Sequence, residues 1–289
     1  MTRKILFVDD EPLIVETFRR LLEERYEIET ATSPEEGLRI LRGSGPFAVV
    51  VSDLRMPEMS GTDFLGKVRQ GWPDTVGVML TGYADLDTTI RILSEGKIFR
   101  FLTKPCPREQ IILTVEAALA HHRLVVAERD LLGVTLPGLL GAIARDLEKA
   151  AGSRPGRARR VGQIARRLAA GLSLENGWQY ETAAILSALP RREPTEILPS
   201  LASMPRMETV AGIVERGDRP VAEEEMEAEG ERALVVLGSL LVQEAQRLET
   251  RLDPDRSIED GLRSLGESGE SVPDALVRGL PDSDLRRAA

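Results

Sequence analysis

The chain has 289 residues, which predicts about two domains, and 42% of them are hydrophobic, enough to form buried cores. Its net charge of −9 argues against nonspecific binding to nucleic acid or membrane surfaces, so we expect neither DNA nor a membrane as partner. The single cysteine, Cys106, excludes an internal disulfide and is typical of a reducing compartment, so we expect a cytoplasmic protein. Met1 to Lys4 lead directly into a short strand, which predicts no signal peptide, and no apolar run approaches the roughly 20 residues of a membrane-spanning helix.

Residues 1–106 alternate short apolar runs with amphipathic runs, the pattern of strands and helices in an α/β domain. The predicted strands are residues 5–8, 26–30, 47–51, 76–80 and 98–102. The predicted helices are residues 11–24, 34–41, 60–69 and 85–93, and a further helix begins after residue 107. This strict alternation predicts a five-stranded parallel sheet with helices on both faces, a doubly wound α/β fold.

Polar side chains follow four of the five predicted strands, at the point where each strand ends. The first strand ends on Asp9 and Asp10, the third on Asp53, the fourth on Thr81 and the fifth on Lys104. If the crossovers have the usual right-handed sense, these side chains meet at the carboxyl edge of the sheet, where α/β proteins bind ligands. We therefore expect a site at this edge that accepts a phosphoryl group on Asp53. The alternative is that these acids are ordinary loop residues.

The same region resembles a known family in four sequence blocks that occur in the family's order and spacing. The blocks are ILFVDDEP, VVVSDLRMPEMSG, VMLTGYAD and FRFLTKP. Residues 1–120 thereby resemble the receiver domain of a two-component response regulator. The resemblance implies the flavodoxin-like fold, a sensor histidine kinase as phosphoryl donor, and Asp53 as the phosphoacceptor.

A divalent cation is expected beside the phosphoacceptor, because neighbouring carboxylates disfavour joint ionisation and a set of oxygen ligands suits Mg²⁺. The resemblance implies that Asp10, Asp53 and the backbone carbonyl of Arg55 are direct ligands. It also implies that Asp9 acts mostly through water.

The resemblance assigns roles to four further residues. Lys104 neutralises the phosphoryl oxygens, and its bond to Pro105 is expected to be a cis peptide that aims the lysine. The Thr81 hydroxyl binds the phosphate, and Phe101 stands at the position of the aromatic residue that turns inward on activation. The change is expected to be transmitted through the face formed by residues 85–120, which is also a candidate homodimer surface.

Residues 107–151 form a helical pattern with apolar residues at nearly heptad spacing. The apolar positions are Ile111, Val115, Leu119 and Val126, followed by Leu132, Leu136, Leu139, Ile143 and Leu147. We expect residues 121–151 to be a signalling helix, broken or kinked near Pro137, that pairs with its copy in a homodimer. The alternative is an ordinary linker packed on its own chain. His121 and His122 point to different faces of a helix, so we expect solvated side chains rather than a metal site.

Residues 152–289 show only helical patterns, which predicts an all-α output domain. The predicted helices are residues 157–172, 178–189, 207–215, 233–252, 257–265 and 273–280. The order of the blocks resembles an HD-type phosphohydrolase of the HD-GYP branch, which acts in cyclic-di-GMP signalling. The blocks that carry this resemblance are GRARRVGQIARRLA, WQYETAAILSALP, MPRMETVAGIVERGDRP and ERALVVLGSLLVQEAQRL.

The output domain departs from that family at its metal ligands. Ser187 and Ala188 stand where the His-Asp pair is expected, and no histidine follows His122. A metal phosphohydrolase needs imidazoles and carboxylates to hold its metals. We therefore expect no enzymatic activity and no metal in this domain, and an output that acts by binding an unidentified protein. A domain that binds a cyclic dinucleotide or another nucleotide as a sensor, and a residual phosphodiesterase that uses carboxylates alone, remain alternatives.

The helix that opens the output domain is rich in arginine. Its arginines are Arg157, Arg159, Arg160, Arg166 and Arg167. They could bind the phosphates of a dinucleotide or an acidic partner. The favoured interpretation is that they form the solvated side of an amphipathic helix.

Overall fold

The fold is described from a computed structural model. The described residues are 3–82, 98–190, 197–220 and 228–267, together with 222 and 225. The chain divides into two compact units, Met1–Arg129 and Asp130–Ala289. None of the helices within the described ranges combines the length and apolarity that crossing a membrane would require.

The first unit contains one parallel sheet of five strands in the order β2-β1-β3-β4-β5. The strands are β1 (Lys4–Val8), β2 (Glu27–Ala31), β3 (Val49–Asp53), β4 (Val76–Gly82) and β5 (Arg100–Lys104). The central strand β3 is buried along its whole length, and β1 is buried beyond its first residue. Continuous apolar runs such as these are expected where helices cover both faces of a parallel sheet.

Four helices of the first unit lie within the described residues. They are α1 (Pro12–Leu22), α2 (Pro34–Ser44), α3 (Gly61–Gly71) and α4 (Arg108–Asp130). Local signals explain where two of them begin, because Ser33 and Ser60 accept hydrogen bonds from the backbone N–H groups of Glu36 and Asp63. The predicted helix at residues 85–93 lies outside the described residues.

Two hydrophobic cores lie on opposite faces of the sheet. Alternate residues of β1 face opposite sides, so Phe7 packs with α1 and α4, whereas Leu6 packs with α2 and α3. On the first face Phe7 stacks on Phe18 with ring centroids 5.0 Å apart, and on the second face Phe64 is fully buried. Each buried side chain of this size contributes about 1.5–3 kcal/mol. The predicted doubly wound, flavodoxin-like fold of the N-terminal region is confirmed.

The C-terminal half of α4 is attached to the rest of the first unit by residues that precede β4 and β5. His122 is only 4% exposed, and its Nδ1 donates a hydrogen bond of 2.8 Å to the Asp74 carbonyl. Arg129 forms an ion pair with the Asp74 carboxylate, and His121 stacks on Phe99 at 4.7 Å. The prediction of solvated histidines is therefore wrong for His122, whereas His121 is exposed. These contacts explain why the first unit extends to residue 129, whereas the sequence placed its end at residue 120.

Every regular element in the described part of the second unit is helical. A π-helical turn (Leu131–Thr135) is followed by α5 (Leu136–Ala150), α6 (Arg157–Gly171), α7 (Gly177–Ser187), α8 (Ile197–Ala202), α9 (Glu208–Arg216), α10 (Gly230–Arg251) and α11 (Ile258–Glu267). The short helix α8 was not predicted, and the predicted helix at residues 273–280 lies outside the described residues. The helix-rich character of this region is as expected.

The π-helical turn occurs beside the proline at which the sequence predicted a break. Pro137 has no N–H group, so it cannot donate to the carbonyl of Gly133 four residues earlier. The Arg166 guanidinium donates to that carbonyl instead, at 2.6 Å. The turn closes with a hydrogen bond from the Leu136 N–H to the Leu131 carbonyl.

Two glycines of the second unit lie where a neighbouring helix leaves no space for a Cβ atom. A Cβ on Gly162 of α6 would lie 2.6 Å from Ile185 Cγ1 on α7. A Cβ on Gly238 of α10 would lie 2.4 Å from Ile213 Cδ1 on α9. Tyr180 is buried in the same core. These packed helices position the residues of the cavity described below.

Candidate functional site

The carboxyl edge of the sheet brings two buried carboxylates together on one lysine. Asp53 ends β3 and is 7% exposed, while Asp9 follows β1 and is 1% exposed. Lys104, at the end of β5, places its Nζ 2.5 Å from Asp53 Oδ1 and 2.6 Å from Asp9 Oδ2. The structure therefore joins residues that are up to 95 positions apart in the sequence.

The backbone around the two carboxylates fixes their orientation. Asp53 Oδ2 accepts a hydrogen bond of 2.6 Å from the Arg55 N–H, and Asp9 Oδ1 accepts one of 3.0 Å from the Glu11 N–H. Gly61, the first residue of α3, packs against the strand end, where a Cβ would lie 1.9 Å from the Asp53 carbonyl oxygen. No other residue fits at this position without a backbone shift. Gly61 ends the block VVVSDLRMPEMSG, but its role was not predicted from the sequence.

The charges at this edge favour a bound cation. Burial raises the pKa of Asp9, and the neighbouring Asp53 carboxylate acts in the same direction. Burial acts to lower the pKa of Lys104, but hydrogen bonds to Asp53 and Asp9 outweigh it, so the pKa is raised and the lysine remains charged. At an effective dielectric constant of about 20, opposite charges 4 Å apart attract by about 4 kcal/mol before desolvation.

The metal ligands expected from the sequence are only partly assembled. Within the described ranges, no group of three or more His, Cys, Asp or Glu side chains could hold a metal ion. Asp9 and Asp53 face the same lysine, whereas Asp10 is exposed beside them. The carboxylates of Asp53 and of the exposed neighbour Asp10 still fit Mg²⁺, which is commonly held by one or two carboxylates and keeps several waters.

The remaining predicted switch residues lie on neighbouring strands. Thr81 on β4 is fully buried, and its hydroxyl donates to the Gly82 carbonyl at 3.2 Å. Phe101 on β5 is partly buried and packs against the core that contains α2 and α3. The Lys104–Pro105 peptide bond is cis. Residues 83–97, which contribute to the expected transmission face, lie outside the described residues.

Comparison with known proteins identifies this part of the chain. A family model described as the response regulator receiver domain matches residues 5–116. Residues 5–116 form a response regulator receiver domain. They contain both carboxylates and the lysine of the site.

Several known proteins resemble the chain. The hydrogenase transcriptional regulatory protein HoxA of Bradyrhizobium diazoefficiens is 35% identical over 141 residues, which cover 49% of this chain and 29% of HoxA. The response regulator protein PilR of Pseudomonas aeruginosa is 36% identical over 118 residues, 40% of this chain and 26% of PilR. A crystal structure of a receiver domain protein from Clostridium thermocellum is 34% identical, covers 43% of this chain and 99% of that one, and has a TM-score of 0.40. The chain spans less than a third of the length of these curated relatives.

Outside the receiver domain, the positions expected to carry a His-Asp pair lie at the end of α7. Ser187 and Ala188 form part of the wall of a cavity of about 420 Å³ within the second unit. Arg154, Arg157 and Asp218 line other parts of this wall. Histidine is absent from the sequence beyond residue 122, so imidazole ligands of this chain are excluded here.

Four of the five arginines of α6 are paired with acids of the second unit. Arg157 and Arg160 face the buried Glu249, with nitrogen–oxygen distances of 3.3 and 3.6 Å. Arg166 donates to Glu181 at 2.9 Å, and Arg167 pairs with Glu259. Acids on α7, α10 and α11 pack against this helix, so the interpretation of one solvated face is wrong for Arg157, Arg160 and Arg167, whereas Arg159 and Arg166 are exposed.

Proposed function

We propose that the chain is a two-component response regulator in which Asp53 accepts a phosphoryl group from a sensor histidine kinase. The supporting observation is the position of Lys104 Nζ, 2.5 Å from the Asp53 carboxylate at the carboxyl edge of the receiver sheet. A nucleophilic carboxylate needs an adjacent cation to approach an anionic phosphoryl group, and Lys104 supplies that charge.

The proposed reaction is a direct phosphoryl transfer. A carboxylate oxygen of Asp53 attacks phosphorus, an oxygen–phosphorus bond forms, and the bond between phosphorus and the kinase imidazole nitrogen breaks. The imidazole leaves with the electron pair of that bond, and the product is an acyl phosphate on Asp53. Lys104 neutralises the phosphoryl oxygens throughout.

Mg²⁺ is the proposed cofactor. Asp10, Asp53 and the Arg55 carbonyl would hold it directly, with Asp9 acting through water. When bound, it supplies positive charge that offsets the negative charge on the phosphoryl oxygens. We propose no metal in the second unit.

The phosphoryl group is proposed to change the hydrogen bonds at the sheet edge. It adds a charge of about −1.5 to −2 and three strong acceptor oxygens. Thr81 then exchanges its bond to the Gly82 carbonyl for one to the phosphoryl group, and Phe101 turns inward. The change reaches partners through the face formed by residues 85–120.

The second unit is proposed to be a non-enzymatic output that acts by contact with another protein. A homodimer is proposed to form through the 85–120 face, through the helix after it, or through both. On α5, Leu139, Ile143 and Leu147 recur every fourth residue and are 57%, 48% and 47% exposed. This exposed apolar row supports pairing with a second copy, since side chains four residues apart share one face of a helix.

Phosphorylation can be tested by incubating the full chain with Mg²⁺ and a small phosphoryl donor such as phosphoramidate. Intact-mass spectrometry should show the addition of one phosphoryl group to the native protein, and hydroxylamine should remove it because acyl phosphates are labile. Asp53→Asn should show no addition, whereas Asp146→Asn, an exposed acid on α5, should be labelled like the native chain. Hydroxylamine-sensitive labelling of Asp53→Asn at the native level would reject the proposal.

A further inference from the structure

The π-helical turn Leu131–Thr135 changes the register of a helix just after the chain enters the second unit at Asp130. Its closing hydrogen bond, from the Leu136 N–H to the Leu131 carbonyl, spans five residues instead of the four of an α-helix. The extra residue rotates the chain before the turn by about 100° about the helix axis, compared with an uninterrupted α-helix. Single π turns inside α-helices frequently occur at functional sites.

One arginine of α6 holds this turn from outside the helix. Arg166 Nη1 donates to the Gly133 carbonyl at 2.6 Å and to the Glu181 carboxylate of α7 at 2.9 Å. These two hydrogen bonds, the Arg166 bridge, connect the π-helical turn to α6 and α7. Pro137 has no N–H group for the Gly133 carbonyl, so the guanidinium takes the place of the missing helical donor. A charged donor makes this bond stronger than the backbone bond that it replaces.

The Arg166 bridge fits the π register and not the α register. Helix α6 packs against α5 and α7, which fixes the position of the Arg166 backbone relative to both helices. Rewinding of the turn into an α-helical turn would rotate Gly133 by about 100° about the axis of α5. Its carbonyl would then leave the guanidinium, because a hydrogen bond requires an acceptor within about 3.2 Å of the nitrogen. The bridge therefore stabilises the π register alone.

The bridge can open at Gly133 while the core of the second unit stays packed. The Arg166 side chain is 48% exposed, and together with Glu181 it lines a cavity of about 620 Å³. The guanidinium thus has space to turn away from Gly133 and remain paired with Glu181, whose side chain is only 10% exposed and needs a cation. Opening breaks one hydrogen bond to a charged group, which changes an equilibrium about tenfold or more.

We propose that the Arg166 bridge is a register lock at the start of the second unit. The closed bridge holds the turn in its π form, and the open bridge lets the turn rewind into an α-helical turn. A change in the helix before the turn then reaches the second unit as a shift of register. Phosphorylation of Asp53 is the input that opens the bridge. This regulatory role rests on the proposed function of the receiver, whereas the lock is a property of the second unit alone.

Hydrogen exchange of the full chain, measured by mass spectrometry, tests the lock. In Arg166→Gln the amides of residues 131–136 should exchange about tenfold faster than in the native chain, because the turn is no longer held. Glu181→Gln keeps the donor for Gly133 and should exchange like the native chain in this segment. Arg145→Gln, which removes an exposed arginine of α5, should also exchange like the native chain.

The double variant Arg166→Gln/Glu181→Gln guards against a simple folding defect. Arg166→Gln alone leaves the buried Glu181 carboxylate without its cation, which destabilises the whole unit. The double variant removes both charges, so its second unit should remain folded. Its residues 131–136 should still exchange about tenfold faster than those of Glu181→Gln. Equal exchange in these two variants would overturn the lock.

Binding of beryllofluoride, a mimic of the phosphoryl group on Asp53, tests the regulatory role. In calorimetric titrations with Mg²⁺ present, the double variant should bind beryllofluoride about tenfold more tightly than Glu181→Gln. The reason is linkage, since activation of the receiver opens the bridge in Glu181→Gln but has no bridge to open in the double variant. Equal affinities would show a purely structural bridge and overturn the regulatory role. No binding to the native chain would overturn the proposed function and the regulatory role together, while the exchange comparison would still decide the lock.

Discussion

Gly61 shows how one residue without a side chain determines the geometry of the phosphoacceptor. It is the first residue of α3, its N–H donates to the Leu54 carbonyl, and it packs directly against the Asp53 carbonyl. The side chain of Asp53 emerges from the strand end that this contact fixes. Gly66, in the middle of the same helix, has no atom within 4 Å of where a Cβ would be placed. The same helix therefore offers one glycine with no space for a side chain and one glycine with open space around it.

Replacing these glycines by alanine should have opposite effects on stability. Gly61→Ala should lower the free energy of unfolding by about 1–3 kcal/mol or more and reduce phosphorylation, because the backbone must shift at Asp53. Gly66→Ala should raise it by about 0.5–1 kcal/mol, because alanine favours a helix. Urea unfolding and intact-mass labelling measure both effects. Equal stability of the two variants would show that the contact at Gly61 is unimportant.

Lys104 is the residue that balances the two buried carboxylates. Lys104→Gln should lower the free energy of unfolding by about 3 kcal/mol, since it leaves Asp9 and Asp53 buried without their common cation. The variant should also fail to accept a phosphoryl group. Added Mg²⁺ should raise the melting temperature of the variant more than that of the native chain, as it supplies the missing charge.

Lys67→Gln provides the control for Lys104→Gln, because Lys67 is an exposed lysine of α3. It should melt and accept a phosphoryl group like the native chain. Equal stability of Lys104→Gln and Lys67→Gln without Mg²⁺ would contradict the role of Lys104 as the cation that balances Asp9 and Asp53.

At the scale of the element, α1 carries two surface ion pairs that depend on the charge of Glu16. Glu16 accepts hydrogen bonds from Arg19 and from Arg20, which lower its pKa from 4.5 to about 2. A carboxyl with a lowered pKa in the folded state stabilises that state above the unfolded pKa, and its contribution disappears as pH falls through the folded pKa. The contribution of Glu16 to the stability of the folded state should therefore be present above about pH 4.5 and be lost toward pH 2.

Urea midpoints of the native chain and Glu16→Gln, measured against pH, test this expectation. The native midpoint should be higher above pH 4.5, and the difference should shrink as pH falls toward 2 and as salt is added. Glu24→Gln, an exposed position just beyond α1, should show no comparable trend. A difference that grows at low pH would contradict the assignment.

The helices differ in how well the local sequence predicts their existence and their boundaries. The N-terminal boundary of α2 was predicted correctly because Ser33 and Pro34 are local signals that act within one turn. Helix α8, Ile197–Ala202, was not predicted because six residues are too few to show a helical period. A break near Pro137 was predicted, but its π-helical form depends on Arg166, which lies 33 residues from Gly133.

At the scale of the whole molecule, the receiver site and the arginine cluster of the second unit differ in how far the sequence predicts them. Strand order alone brings Asp9, Asp53 and Lys104 to one edge, so the receiver site followed from where apolar runs end. The arginine cluster in the second unit depends on Glu249, which lies on α10, far along the chain from Arg157 and Arg160. No local pattern links an acid on one helix to arginines on another. Those arginines therefore looked like a solvated face until the packing was known.

The exposed apolar row of α5 leads to a prediction about the assembly of the whole chain. Pro137, Gly141, Ala144 and Glu148 face the core of the second unit, so the opposite face, which carries Ile143, is available to a partner. If two copies pair along this row, Ile143→Glu places a charge in the interface at a high desolvation cost. The native chain should then have the light-scattering mass of a dimer, and Ile143→Glu that of a monomer.

Leu172→Glu is the matched control, because Leu172 is a 46% exposed leucine that follows α6 and lies outside the row. It should keep the native mass, because it introduces the same charge on an apolar surface position that the proposed interface does not use. A dimer that persists in Ile143→Glu would assign self-association to another surface, with the 85–120 face as the next to be tested. Loss of the dimer in both variants would indicate a general effect of added negative charge on a chain whose net charge is already −9.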